Sequence, residues 1–167
     1  EYARIGKAHI IPTINALDTY VAEHAELASN PDADFTKFIT SRTDTPTAKT
    51  DVLFDGKANT GLSYKDPATI TKDTYIGIEK TNAFDLDRFT VTYDSGHPND
   101  TIRTAKLQVL KESNGSRQWV DVEGKTISNN RQVVVDFKDL NQKDVFGVRL
   151  IATENNQDAC WLTVNEI

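Results

Sequence analysis

The chain has one cysteine, no methionine and no excess of basic residues. It also lacks any apolar run long enough to cross a bilayer. A single thiol excludes an internal disulfide, so stability must come from a packed core. Cys160 stands between Ala159 and Trp161, and these apolar neighbours predict a buried, inert thiol rather than a nucleophile. The missing methionines and the abrupt Glu1 suggest an internal fragment. With 19 Lys+Arg against 25 Asp+Glu, the net charge of −6 gives no counterion-release drive toward a polyanion. Nucleic acid, an anionic membrane surface and membrane insertion are therefore not expected, which leaves uncharged polar ligands. Catalytic patterns are missing too. His9, His24 and His97 are too far apart for a zinc motif, and no nucleophile elbow occurs. The carboxylate pairs Asp85/Asp87 and Asp136/Asp139 sit beside strand ends that read as surface. No enzyme activity is expected of this chain itself.

What is present is enough for one sizeable core: 167 residues, 38% of them hydrophobic. Ile10, Ile14, Leu17, Val21, Ala25 and Ala28 recur at helical spacing, with Pro12 in the first turn. A second short helix is predicted with Asn30 as cap, Pro31 at its first position and Phe35, Phe38 and Ile39 on one side. Ser41 to Thr50 is polar and aperiodic, a surface linker that divides a helical lead-in (1–43) from a β module (44–167). Beyond it the period is two: Ile76 and Ile78; Phe89, Val91 and Tyr93; Leu107 and Val109; Val120 and Val122; 133–137; 146–152; and 162–167. Turn formers separate these runs, as at Ser95-Gly96-His97-Pro98-Asn99-Asp100 and Ser113-Asn114-Gly115. Seven or eight short strands with no room for helical crossovers predict an all-β antiparallel sandwich.

Several stretches carry a family likeness. They are Leu53-Phe54-Asp55-Gly56-Lys57-Ala58-Asn59-Thr60, Asp73-Thr74-Tyr75-Ile76-Gly77-Ile78, Leu107-Gln108-Val109 leading to Gln118-Trp119-Val120-Asp121-Val122, and Val148-Arg149-Leu150 with Val164-Asn165-Glu166-Ile167. In this order they resemble the discoidin family (coagulation factor 5/8 type C-like), and within it family-32 carbohydrate-binding modules, over roughly residues 45 to 167. The resemblance implies a galactose-binding-domain-like, eight-stranded jelly-roll sandwich with a structural Ca2+ and a shallow sugar site on loops at one end. It also implies an accessory module of a secreted or cell-surface bacterial glycoside hydrolase of the family-84 type, a β-N-acetylhexosaminidase or hyaluronidase. The partners would then be glycans containing N-acetylhexosamine or galactose, together with a catalytic domain in the same polypeptide.

On this likeness the calcium ligands are Asp55, Asn59, Thr60 and Glu166, a hard-oxygen set suited to the ion. Lys57 departs from the family's Asp-Gly-Asp turn and brings a repelling ammonium. A plain Asx turn, with Glu166 paired to Lys57 or exposed, is the competing reading. The loop from Asp94 to Arg103 offers His97, Asn99, Asp100 and Arg103, and by loop placement the likeness assigns His97, Asn99 and Arg103 to the sugar. The stacking ring would be Tyr64, in the loop after the Asp-Gly turn, or Trp161, which faces either ligand or core. Trp119 resembles the family's buried core tryptophan. Asn155, Asn156, Gln157 and Asp158 form the last loop and reach sugar hydroxyls or remain a solvated turn. The alternative function is a structural or protein-interaction spacer of the same fold.

Overall fold

The computed structural model describes residues 34–167. The helix expected over residues 10–28 lies outside them. From Phe35 to Ile167 the chain forms one compact unit, which begins upstream of the expected boundary at residue 44. None of its described helices is long and apolar enough to cross a membrane.

Among the described residues the strands are β1 (Thr36–Thr40), β2 (Leu62–Tyr64), β3 (Tyr75–Leu86), β4 (Phe89–Tyr93), β5 (Ala105–Ser113), β6 (Ser116–Ile127), β7 (Val134–Phe137), β8 (Gln142–Ala152) and β9 (Leu162–Glu166). They make a five-stranded sheet in the order β1-β3-β8-β5-β6 and a four-stranded sheet in the order β2-β9-β4-β7, and every pairing is antiparallel. Period two does the sorting. On β4, Phe89, Val91 and Tyr93 are buried while Thr90 and Thr92 are less so. Leu107, Val109, Val148, Leu150, Leu162 and Val164 meet the β4 residues in one continuous core.

Four expectations change. The short helix through Phe35, Phe38 and Ile39 is instead strand β1, paired from Thr36↔Lys80 to Thr40↔Ile76. Only Phe38 of its apolar trio is buried and Phe35 is exposed, so alternation and a free sheet edge outweigh the helical spacing. The segment after Ser41 is no surface linker throughout: Arg42 is buried and donates to the carbonyls of Pro67 and Thr69, at 2.6 Å each. Tyr64 belongs to strand β2, opposite Leu162, with its ring in the core. Trp119 is half-buried on the outer face of the five-stranded sheet rather than in the core.

Two places hang from strand β9. At its start, loops 65–74, 94–104, 128–133 and 153–161 are stitched together: Asn156 N–H donates to Ile70 O (2.8 Å), Asn130 N–H to Arg103 O (2.9 Å) and Thr163 N–H to Asp100 O (3.0 Å). At its end, the 3₁₀ turn Thr50–Phe54 buries Leu53, and Ile167 N–H donates to Leu53 O (3.1 Å). Gly61 enters β2 so close to β9 that a Cβ there would stand 2.6 Å from Val164 O.

Candidate functional site at the loop end

Loop composition builds the first site. Asn99, Arg103, Thr104, Ser128, Asn129, Arg131 and the stretch Glu154 to Asp158 line a hollow of about 500 Å³. Arg103 is its fixed post. It is 5% exposed; Nη1 and Nη2 both bind the Asp158 carboxylate, and Nη2 also donates to Asn99 O (2.8 Å). The hydrogen bonds to Asp158 hold the guanidinium above its ordinary pKa and the Asp158 carboxyl below its own. Arg103 thus locks two loops and has little left to offer a ligand. Arg131 Nη1 donates to the Asn99 side-chain oxygen (3.0 Å), which aims a second guanidinium across the mouth. The Glu154 carboxylate makes no hydrogen bond or ion pair among the described residues. With Arg103 cancelled by Asp158 and Arg131 set against Glu154, the hollow is polar and close to neutral.

The structure brings Asn99, Arg103 and Asn156 together, but not His97. The imidazole is exposed, with Nδ1 2.5 Å from Asp94 Oδ2, and this hydrogen bond raises its pKa while lowering that of Asp94. Asn156 spends its amide on Thr101 O (3.0 Å) and the buried Cys160 Sγ (3.4 Å), so it shapes the loop rather than reaching outward. Trp161 resolves outward at 38% exposure, its N–H held by Asp100 Oδ1 (3.0 Å) and Lys65 Nζ 4.6 Å from its ring centroid. Tyr64, buried, is unavailable for stacking. Arg131, Asn129 and Glu154 were missed from the sequence because they come from loops that meet only in the fold. The carboxylate pairs are occupied elsewhere: Arg88 grips Asp136 through two 2.8 Å bonds, and Lys143 binds Asp85 (2.8 Å).

At the opposite end of β9, Asp55, Thr60 and Glu166 gather around one turn. Asp55 Oδ1 accepts from Lys57 N–H (2.8 Å) and Oδ2 from the Thr60 hydroxyl (2.8 Å), so the Asx turn is present. Glu166 Oε1 accepts from Gly56 N–H (3.2 Å), whereas its Oε2 is buried without a partner. Asn59 stays exposed and Asn165 donates to Ala58 O (2.8 Å). Among the described residues no three His, Cys, Asp or Glu side chains cluster. A cation here would therefore rest on two carboxylates and neutral oxygens. The orphaned Glu166 oxygen fits such an ion.

Comparison with solved structures adds the wider frame. A chitosan-binding module of a Paenibacillus sp. IK-5 chitosanase/glucanase superposes with TM-score 0.59 at 14% identity, covering 78% of this chain and 91% of the other. A family 32 module of Clostridium perfringens NanJ, solved with galactose, gives 0.57 at 14% identity over 78% and 90%. A second Paenibacillus chitosan-binding module, solved with chitotriose, gives 0.58 at 17% identity over 78% and 92%. What is shared is the fold. It is an all-β sandwich of two antiparallel sheets. No family profile and no curated protein matches the chain.

Proposed function

We propose that this chain is a noncatalytic glycan-binding module whose sugar contacts lie in the loop-end hollow. The observation that carries the reading is the near-neutral hollow of about 500 Å³, with hydrogen-bonding groups fixed in place by the Arg103–Asp158 pair. Rigid donors and acceptors without net charge suit the hydroxyls of a neutral pyranose. Arg131, Asn129 and Glu154 make the contacts, and the exposed Trp161, outside the hollow's lining, offers a C–H-stacking face to a neighbouring part of the glycan once Lys65 swings aside. Two of the solved neighbours hold galactose or chitotriose in their own structures, which supports the same ligand class here. Borne beside a glycoside hydrolase on a secreted or surface protein, such a module raises the enzyme's local concentration on glycans. One observation favours the spacer alternative: no aromatic ring lines the hollow.

Titration of the 167-residue chain with galactose, N-acetylgalactosamine and chitotriose by NMR decides between them. Expected is weak binding near the millimolar range, about 4 kcal/mol. It should fall in Arg131→Ala and in Trp161→Ala while both variants keep their melting temperature. Affinity unchanged in both, or no binding to any glycan, refutes the site.

Calcium at the Asp55 turn belongs to the same reading. Glu166 and Asp55 would hold it with Thr60, and the ion would fasten the end of β9 to the turn. Saturating Ca2+ at about 100 times its Kd should stabilise the fold by about 2.7 kcal/mol, and Glu166→Gln should abolish the shift. An unmoved melting curve in the parent chain refutes the metal.

A further inference from the structure

The outer face of the five-stranded sheet carries a second group of side chains that the loop-end reading does not use. Register places Ile39, Gly77, Arg149, Gln108 and Asp121 in one row across all five strands, and Lys37, Glu79, Gly147, Leu110 and Trp119 in the next. Gly77 lets β8 lie close against β3, since a Cβ there would stand 2.1 Å from Val148 O and 2.7 Å from Arg149 Cα. On this face Lys37, Ile39, Tyr75, Glu79 and Trp119 line a hollow of about 350 Å³. Both rings of that hollow flank one guanidinium. Arg149 Cζ lies 4.7 Å from the Tyr75 ring centroid and 4.3 Å from that of Trp119. Trp119 reaches this position over Gly147, where any Cβ would stand 3.1 Å from its ring.

Arg149 is held but not used up. Its Nε donates to Gln108 Oε1 (2.8 Å), Gln108 Nε2 donates to Asp121 (2.7 Å), and Asp121 is paired with Lys106. Asp121 is thereby committed to Gln108 and Lys106. The two Nη groups of Arg149 make no hydrogen bond among the described residues and are not sealed from solvent. Partial burial lowers the guanidinium's pKa, yet it remains a cation. Lys37 and Glu79 balance in the lining itself, and Arg149, beside the hollow between its two rings, adds a positive charge to this face of a chain whose total charge is −6.

A rigid planar fork of N–H donors beside two aromatic faces suits one kind of ligand: a flat anion carried on a ring with an apolar C–H side. We infer that this sheet face is a binding site for a carboxylate-bearing pyranose, a uronic acid unit of a glycan, with its carboxylate on the Nη edge of Arg149 and its ring against Tyr75 and Trp119. Lys37 adds attraction from the edge strand, and Glu79 opposes it. The site is independent of the loop-end hollow and faces away from the core between the sheets.

Trp119 reports directly on this site in a Trp161→Phe background, where it is the one remaining tryptophan. Trigalacturonate should change its emission in a saturable way, and neutral galactotriose should not. Arg149→Lys keeps the charge but loses the fork and the stacking, and should weaken the response about ten-fold. Glu79→Gln removes the like charge and should strengthen it about two-fold. Arg131→Ala at the loop end should leave it unchanged, which separates failure of this site from failure of the other. The inference is overturned if trigalacturonate leaves Trp119 unaffected, if galactotriose acts equally, or if Arg149→Lys binds as well as the parent. Should Arg149→Lys fail to fold, an unchanged or weaker response in Glu79→Gln overturns it alone.

Discussion

Asp100 ties the exposed tryptophan to the sandwich, and its removal has a calculable cost. Its buried carboxylate accepts the Trp161 N–H and the Thr163 hydroxyl, each at 3.0 Å, and its carbonyl accepts the Thr163 N–H at 3.0 Å. Asp100→Ala removes the two carboxylate bonds, each worth about 1.5–3 kcal/mol as a charge-assisted bond. One loss is softened, because the Thr163 hydroxyl lies 2.9 Å from Ser63 Oγ and can turn to donate there. The net cost should be about 2–4 kcal/mol. Asp100→Asn keeps an acceptor for Trp161 and offers an N–H to Thr163, whose proton again turns to Ser63, so the cost should drop to about 1 kcal/mol. Urea unfolding followed by circular dichroism gives both values, provided the slope is shared with the parent. A loss below about 1 kcal/mol for the alanine variant would refute the buried-acceptor argument. Equal losses for alanine and asparagine would instead show that charge, not hydrogen-bond count, holds the loop.

Two more outcomes are expected. Gly61→Ala places a methyl 2.6 Å from Val164 O and 2.1 Å from the Asn165 side-chain oxygen, and backbone cannot yield cheaply, so thermal melts should show a loss of about 1–3 kcal/mol. Asp136, held by Arg88, titrates at about 2, below an unfolded carboxyl near 3.9. Its stabilising share is therefore complete above the unfolded value and is lost as pH falls through about 2, and Asp136→Asn should flatten the acid limb of the stability curve in that window.

Where side chains alternate strictly and face one core, the fold is legible in the sequence. The 89–93 strand and the Val148-Arg149-Leu150 run lie where period two put them. Strand β1 escaped because Phe35, Phe38 and Ile39 also satisfy helical spacing, and an edge strand buries only one of them. Strand β2 escaped because three residues are too few to show a period. The outward position of Trp119 was written in the same alternation that sends Val122 inward, since neighbouring residues of a strand point to opposite faces. The loop-end hollow was half legible. Asn99, Arg103 and Asn156 lie in turn-rich loops that announce themselves, but Arg131 and Glu154 join them only through strand order, which no local pattern encodes.

Strand β9 gives the two ends of the sandwich a common lever. Glu166 at its far end and Trp161 just before its first residue are separated by one short ladder, clamped between β2 and β4. That ladder is the direct hydrogen-bonded route by which slack at the turn would reach the ring. A Glu166 variant that binds sugar poorly would then speak of a loosened mount, and only one with an intact β9 amide-exchange pattern would speak of the contact.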